Sequence, residues 1–393
     1  MKTMRVNTYS AGWLKKGFPW VYPKEVEKGQ APKGAEVRVV DGRGQVLGVG
    51  LASDGFLAAR VFRREEGPLD QEWLDGVLTR AAELRALVVD DQTDGYRLVN
   101  AENDGLPGIR IDWWRAFAVV ILDHPSVGRL VPGIVDWLER HRQPRGVALC
   151  YRRDPRDALP ERLDPAPGLI AGRVPTGPVR VRERGLHFEV LPLDGPDVGL
   201  YADMRAVRAW LEPSWGGTRV LNTFAYTGAF SVAAAMHGAS EVTTVDLSQK
   251  VLDRAEANFV ANSLDPEAHT FLASDTFKAL DRFRRTGERF DRVVLDPPSF
   301  SRSDAGVWSA SRDYPRLVAS AARVLDPGGW LIAASNQGEV SPKQFTGFVQ
   351  DGLRKAGRTA QLLASLGQAP DFPAATSFPE GRYLKVHILR LDG

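Results

Sequence analysis

From residue 215 onward, short apolar runs alternate with amphipathic stretches, and this pattern constrains the fold more than any other feature of the chain. "TRVLNTF", "EVTTVDLS", "HTFLASD", "FDRVVLD" and "WLIAASN" read as strands. Between them, "TGAFSVAAAMHG" (closed by Gly238), "QKVLDRAEANFVANS" and "DYPRLVASAARVLDPGG" carry apolar residues at helical spacing. Strands alternating with helices of about 10–15 residues predict a mostly parallel sheet covered by helices on both faces. A ligand in such an α/β layer binds beyond the carboxyl ends of the strands. Three of these strands end in an acid there: Asp246, Asp275 and Asp296.

The preceding half has a different texture. Up to about residue 75 the chain reads as short strands and turns. "AEVRVVDGRGQVLGVGLAS" alternates apolar and polar residues around Asp41-Gly42, which is a hairpin signal. Residues 71–88 have helical spacing and read as a connecting helix. From 95 to 151 the order is strand, turn, strand, strand, helix, strand, and 154–178, rich in Pro, Gly, Arg and Asp, reads as a loop. "VRVRERGLHFEVLPL" predicts a further hairpin. A length of 393 residues suggests two or three domains. The expected division is a small β-rich module at 1–75, an α+β middle domain with its connecting helix at 76–192, and the α/β domain at 193–393.

Composition narrows the class. Hydrophobic residues at 43% and charged residues at 25% are those of a soluble globular chain. No run of about 18 apolar residues offers a membrane span, and "MKTMRVNTYSAGW" lacks the apolar run of a secretory leader. A single cysteine, Cys150, excludes an internal disulfide framework and suits a reducing, cytoplasmic setting. The six histidines are scattered without metal-ligand spacing, so no metal is expected. The net charge is only +2, yet Arg60, Arg63 and Arg64 cluster, as do Arg152, Arg153 and Arg156, and Arg173, Arg180, Arg182 and Arg184. Such clusters suit phosphate contacts or simply a solvated surface.

The strand ends carry the candidate chemistry. In "LNTFAYTGAFS" a strand opens into a helix through a loop with one glycine, Gly228. A dinucleotide fingerprint would need three, so a nicotinamide dehydrogenase is disfavoured. The helix start still offers free N–H donors suited to a carboxylate. Asp246 is placed to accept from both hydroxyls of a ribose, although with Ser248 it equally makes a helix cap. Asp275 could accept from an adenine amino group, with Thr276 capping the helix that follows. In Asp296-Pro297-Pro298 the prolines stiffen the loop and leave its carbonyls free as acceptors, and Phe300 could stack on a flat base.

A one-glycine loop, two acids and then Asp-Pro-Pro on four successive strands resembles the class I S-adenosylmethionine-dependent methyltransferases. The resemblance narrows further. "RVLNTFAYTGAFSVAAAMHGASEVTTVDLSQ" with "DRVVLDPPSF" is similar to the 23S ribosomal RNA methyltransferases of the RlmI type. "KGFPWVYPKEV" resembles the opening of their PUA domain, "DGYRLVNAENDGLPGIRID" the start of their middle domain, and "VGLYADMR" the segment before their catalytic domain. The resemblance implies a Rossmann-like catalytic domain, S-adenosyl-L-methionine as cofactor and ribosomal RNA or a large-subunit assembly intermediate as partner. It assigns Asn222, Phe224, Tyr226, Thr227 and Gly228 to the methionine end of the cofactor. Asp246 falls to the ribose, Asp275 to the adenine and Asp296 to the rim between cofactor and base. Tyr201 and Asp203 would close over the cofactor.

One residue decides between chemistries. Cytosine C5 is a poor nucleophile, and enzymes that methylate it attack C6 with a cysteine thiolate. In that branch the cysteine follows the strand written here "GGWLIAASNQG", where this chain has Asn336. Guanine N7 has a lone pair and no proton, so alignment and exclusion of water can carry its methylation. The strand end Ser335-Asn336 resembles the guanine-N7 branch. Asn336 is therefore expected to orient guanine, and Asp296, Pro297, Pro298 and Phe300 to hold the flipped base. Methylation of cytosine C5 or of an exocyclic amine is the enzymatic alternative, although Ser299 stands where amine methylases have an aromatic residue. An RNA-binding assembly protein is the non-enzymatic alternative. A homodimer is compatible with the sequence.

Overall fold

The structure is a computed structural model that describes residues 1–152, 156, 159–298, 302–303, 306–307 and 309–392, with backbone only at 302–303 and 306–307. Ser299 and Phe300, which the sequence placed against the base, and Arg153 lie outside the described residues. The chain divides into two compact units. One comprises Met1–Arg184, Val190–Val198 and Pro370–Gly381, and the other Gly185–Glu189, Gly199–Ala369 and Arg382–Gly393.

The first unit holds two sheets. Its six-stranded sheet runs in the order Trp20–Val21, Ala59–Arg63, Val46–Ala52, Glu36–Val40, Lys2–Val6, Val26–Lys28. The expected hairpin at Asp41-Gly42 is present: Glu36–Val40 pairs antiparallel with Val46–Ala52, and Asp41 accepts from the amides of Arg43 and Gln45. A helix the sequence reading had not separated, Thr8–Lys15, is capped by the Asn7 side chain, which accepts from the Ser10 amide at 2.9 Å.

The five-stranded sheet runs Gly168–Gly172, Gly146–Tyr151, Phe117–Leu122, Ile109–Trp114, Gly95–Asn100. It packs under the helices Gln71–Val88 and Val131–His141 through Leu74, Val77, Leu78, Ile134 and Leu138. Gly168–Gly172 lies inside the stretch expected to be a loop. "GLIAG" is too short and glycine-rich to read as a strand, and pairing with Gly146–Tyr151 at the sheet edge makes it one.

The second unit is one seven-stranded sheet, labelled here in chain order. β1 is Arg219–Thr223, β2 Glu241–Asp246, β3 Thr270–Ala273, β4 Phe290–Leu295, β5 Leu325–Ser335, β6 Ala360–Leu366 and β7 Lys385–Leu391. The order across the sheet is β3-β2-β1-β4-β5-β7-β6. β1 to β5 are parallel, and β7 runs antiparallel to both β5 and β6. Helices α1 (Ala229–Met236), α2 (Gln249–Ala261), α3 (Thr276–Thr286) and α4 (Ala310–Ala322) connect the parallel strands. Leu221, Val245, Val293, Leu295, Leu331 and Ala333 are buried in the sheet, with Phe283, Leu317 and Val318 from the helices packed on one face. The register aligns Thr223 with Leu295 and Leu295 with Ala333, so the residues after β1, β4 and β5 emerge on one rim.

Among the described residues no helix is long and apolar enough to cross a membrane. Nor do three or more His, Cys, Asp or Glu residues group so as to hold a metal.

Candidate active site

The loop from β1 to α1 is strained. Phe224 and Tyr226 both have positive φ, 52° and 50°, and Gly228 follows at 75°. Non-glycine residues in this region cost of order 1–3 kcal/mol each and persist only where surrounding bonds hold them. The bonds are present. The Ala225 amide donates to the Val245 carbonyl, the Tyr226 amide to Asp246 Oδ2 at 2.9 Å, and Thr227 Oγ1 to the Gly199 carbonyl at 2.5 Å. Asn258 Nδ2 reaches the Thr227 carbonyl from α2 at 2.8 Å. At Gly228 a Cβ would stand 2.9 Å from that of Ala255, so only glycine combines this φ with close packing of α1 on α2.

Asp246, the last residue of β2, joins two segments. Oδ2 takes the Tyr226 amide and Oδ1 the Ser248 amide at 3.1 Å. Ser248 is the N-cap residue of α2, yet its side chain makes no cap bond. The Asp246 carbonyl in turn accepts from the Ser274 amide, which draws the end of β3 alongside. Asp275 follows and caps α3 itself, Oδ1 accepting from the Lys278 amide at 3.1 Å; the expected cap, Thr276, is the first helical residue instead.

Asn222 and Thr227 are buried. Asn222 Nδ2 donates to Ser231 Oγ at 2.9 Å, and Thr244 Oγ1 donates to the same hydroxyl at 2.8 Å. Ser231, not singled out in the sequence, is thus the junction between β1, β2 and α1. Its only sequence signal is a lone hydroxyl in the apolar helix "GAFSVAAAM".

A second group of carboxylates lies at the end of β4. Asp296 is half-buried and its carboxyl is pushed up to about 7, first by burial and then by the nearby Asp203, with Arg208 opposing. Asp203 accepts from the Tyr383 hydroxyl at 2.7 Å. The exposed Tyr201 ring packs on Tyr226 with centroids 5.0 Å apart, and its carbonyl accepts from Arg208 Nη2 at 3.0 Å. Tyr314 lies buried beneath, its hydroxyl donating to the Ala334 carbonyl at 2.7 Å. Tyr201, Asp203, Tyr226, Asp246 and Asp296 are therefore connected through direct contacts or neighbouring charge. Arg208 and Tyr383 belong to this group but come from segments where the sequence showed no motif.

Asn336 stands one residue past β5. The loop it begins is tied down by Lys385 at the start of β7, whose ammonium donates to the carbonyls of Gln337 and of Val340. Lys385 is only 6% exposed, and burial lowers its pKa from 10.5 to about 8. Between those two values the folded chain binds fewer protons than the unfolded one, so its contribution makes stability rise with pH across that window. In Lys385→Met this rise in melting temperature should disappear. The freed loop should lower kcat about tenfold through misplacement, with cofactor affinity unchanged.

The donor set suits an adenosyl sulfonium. Acids at the ends of β2 and β3 can accept from hydroxyls and an amine, and the Asp203–Asp296 pair offers negative charge for a cation. By comparison, residues 159–384 match the family description of S-adenosylmethionine-dependent methyltransferases, and residues 4–64 a PUA-like domain. The chain is 36% identical to the ribosomal RNA large subunit methyltransferase I of Pseudoalteromonas translucida over 383 residues, 96% of each chain. It is equally 36% identical to that of Aeromonas salmonicida, again with 96% of each covered. A methyltransferase structure solved with SAH bound superimposes with a TM-score of 0.89 at 25% identity, over 99% of this chain and all of the other (100%). A SAM-dependent methyltransferase from Streptococcus mutans gives 0.87 at 25% identity and the same coverage.

Proposed function

The chain belongs to the S-adenosylmethionine-dependent methyltransferases, in the branch of the ribosomal RNA large subunit methyltransferases I, and from this membership we propose that it methylates large-subunit (23S) ribosomal RNA at guanine N7. The cofactor supplies an electrophilic methyl group. The strained Phe224–Gly228 loop and Asp246 hold it, Asp275 borders the adenine end, and Tyr201 and Asp203 cover it. Asp296 and the acceptor carbonyls of Pro297 and Pro298 set the edge of the base, and Asn336 orients guanine from the end of β5. The PUA-like residues 4–64 support RNA as the substrate. We read the chain as three parts, 1–75, 76–192 and 193–393, with the last carrying the chemistry.

The observation that carries the choice of N7 is the fate of the single thiol. Cys150 lies buried on a strand of the first unit, and burial pushes its pKa up to about 12. A thiol so reluctant to ionise does not serve as the thiolate that C5 chemistry requires. The corresponding strand end in the second unit carries Asn336, an amide.

One observation favours a second reading. An exocyclic amine must shed a proton during methylation, and Asp296, with its carboxyl near neutrality, is suited to accept one. Mass spectrometry of ribosomal RNA nucleosides from cells with and without the gene separates the products. Loss of 7-methylguanosine is the expected result. Loss of 5-methylcytidine or of an N-methylated exocyclic amine instead would overturn the base assignment.

A further inference from the structure

The first unit carries a chain of aromatic rings that its fold does not need as core. Tyr9 and Trp13 stand one turn apart on the helix Thr8–Lys15, 66% and 41% exposed, with ring centroids 6.4 Å apart. Trp13 continues to Phe18 at 6.0 Å, Phe18 to Trp20 at 5.8 Å, Trp20 to Phe56 at 6.4 Å, and Phe56 to Tyr22 at 5.4 Å. The inner rings are anchored: Trp20 Nε1 donates to Glu102 Oε1 at 2.9 Å, and Phe378 packs on Trp20 at 4.9 Å.

Cations accompany the rings. Lys16 Nζ lies 5.1 Å above the Trp13 ring and the Arg156 guanidinium 4.5 Å above that of Phe56. The exposed Arg64 lies along Gly17, where a Cβ would come within 1.6 Å of its Nη2, so the glycine lets a third cation approach this end of the row. Lys15 is engaged with Asp41 at 3.2 Å. Glu25 and Glu380 act on Tyr22, at the far end of the row from Tyr9 and Trp13.

We propose that the exposed Tyr9–Trp13 pair, with Lys16 and Arg64, is a docking strip on which unpaired bases of an RNA strand stack. Flat rings next to cations match a base and its phosphate together. A duplex keeps its base faces inside and would meet the rings with sugar and phosphate only. An apolar protein partner would have no use for a cation over the ring. Each base stacked on an aromatic side chain contributes an attraction that every base can make, so recognition here depends on strand exposure more than on sequence. The inference rests on the reading of the substrate as RNA and adds that the segment bound by this unit is single-stranded.

Fluorescence anisotropy tests it on the full-length chain, with a short labelled oligoribonucleotide either single-stranded or annealed to its complement. The single strand should bind more tightly, and Trp13→Ala should weaken it about 5- to 100-fold, with Tyr9→Ala acting in the same direction. Trp13→Phe should restore most of the affinity, and Lys16→Ala should flatten the salt dependence. Duplex binding should not respond to Trp13→Ala. The proposal is overturned if Trp13→Ala and Tyr9→Ala leave single-strand affinity unchanged, if single strand and duplex weaken alike, or if the variants lose a protein partner while keeping RNA. S-adenosylmethionine affinity, measured on the same variants, reports on folding. The nucleoside products test the catalytic reading separately.

Discussion

Asp246→Ala should weaken S-adenosylmethionine binding by about 100-fold or more, the largest loss expected of any single cofactor contact. The carboxylate has two functions that vanish together. As an acceptor facing a ribose it would contribute hydrogen bonds to a charged group, each worth about 1.5–3 kcal/mol. It also takes the amides of Tyr226 and Ser248, and Tyr226 sits at a φ of 50° that needs such a restraint. Asp246→Asn keeps one acceptor oxygen and should lose less, about tenfold. Calorimetric titration measures both variants, and thermal melting checks that the sheet remains folded. An unchanged dissociation constant for Asp246→Ala would remove the loop at the ends of β1 and β2 from the cofactor site.

Asp296→Asn should lower kcat by about 100-fold, the scale expected when a reacting group is misplaced by about 1 Å, with a smaller effect on cofactor affinity. It should also change the pH behaviour. The wild-type carboxyl is raised from 3.8 to about 7, so between these values the folded chain holds more protons than the unfolded one. The contribution of Asp296 therefore makes stability fall as pH rises through that window, and the asparagine variant should lose this slope. A positive charge brought beside Asp296 favours its ionised form. Wild type should consequently release a proton on binding S-adenosylmethionine near pH 7, seen as a binding enthalpy that depends on the ionisation heat of the buffer. Binding of neutral SAH should release less. If Asp296→Asn releases the same proton, the group that titrates lies elsewhere.

The two readings of Asp246 raised by the sequence, helix cap and ligand acceptor, are reconciled in the structure. Both carboxylate oxygens hold backbone amides, and each retains a further lone pair. At Asp275 the capping bond is plain to see, while contact with adenine stays a proposal. The PUA-like module and the catalytic layer were both legible because each depends on short-range patterns. Alternation marked the strands of 36–52, and the strand–helix alternation after 215 marked the layer.

What the sequence determined by itself is the order of elements and the chemistry available at their ends. Apolar periodicity reports which residues can be buried, and a strand end carries its acid, glycine or proline wherever the strand goes. It also settled that one cysteine serves the whole chain and that Asn336 follows the fifth parallel strand. Only the tertiary structure decided the rest. Ser231 joins β1, β2 and α1, Tyr383 reaches Asp203 across 180 positions of chain, and Lys385 ties down the loop after Asn336. The raised carboxyl of Asp296 likewise arises from enclosure and from Asp203, neither of which its neighbours in sequence supply. Such effects depend on distance through space, and residues far apart in a chain carry no local pattern to announce that folding will bring them together.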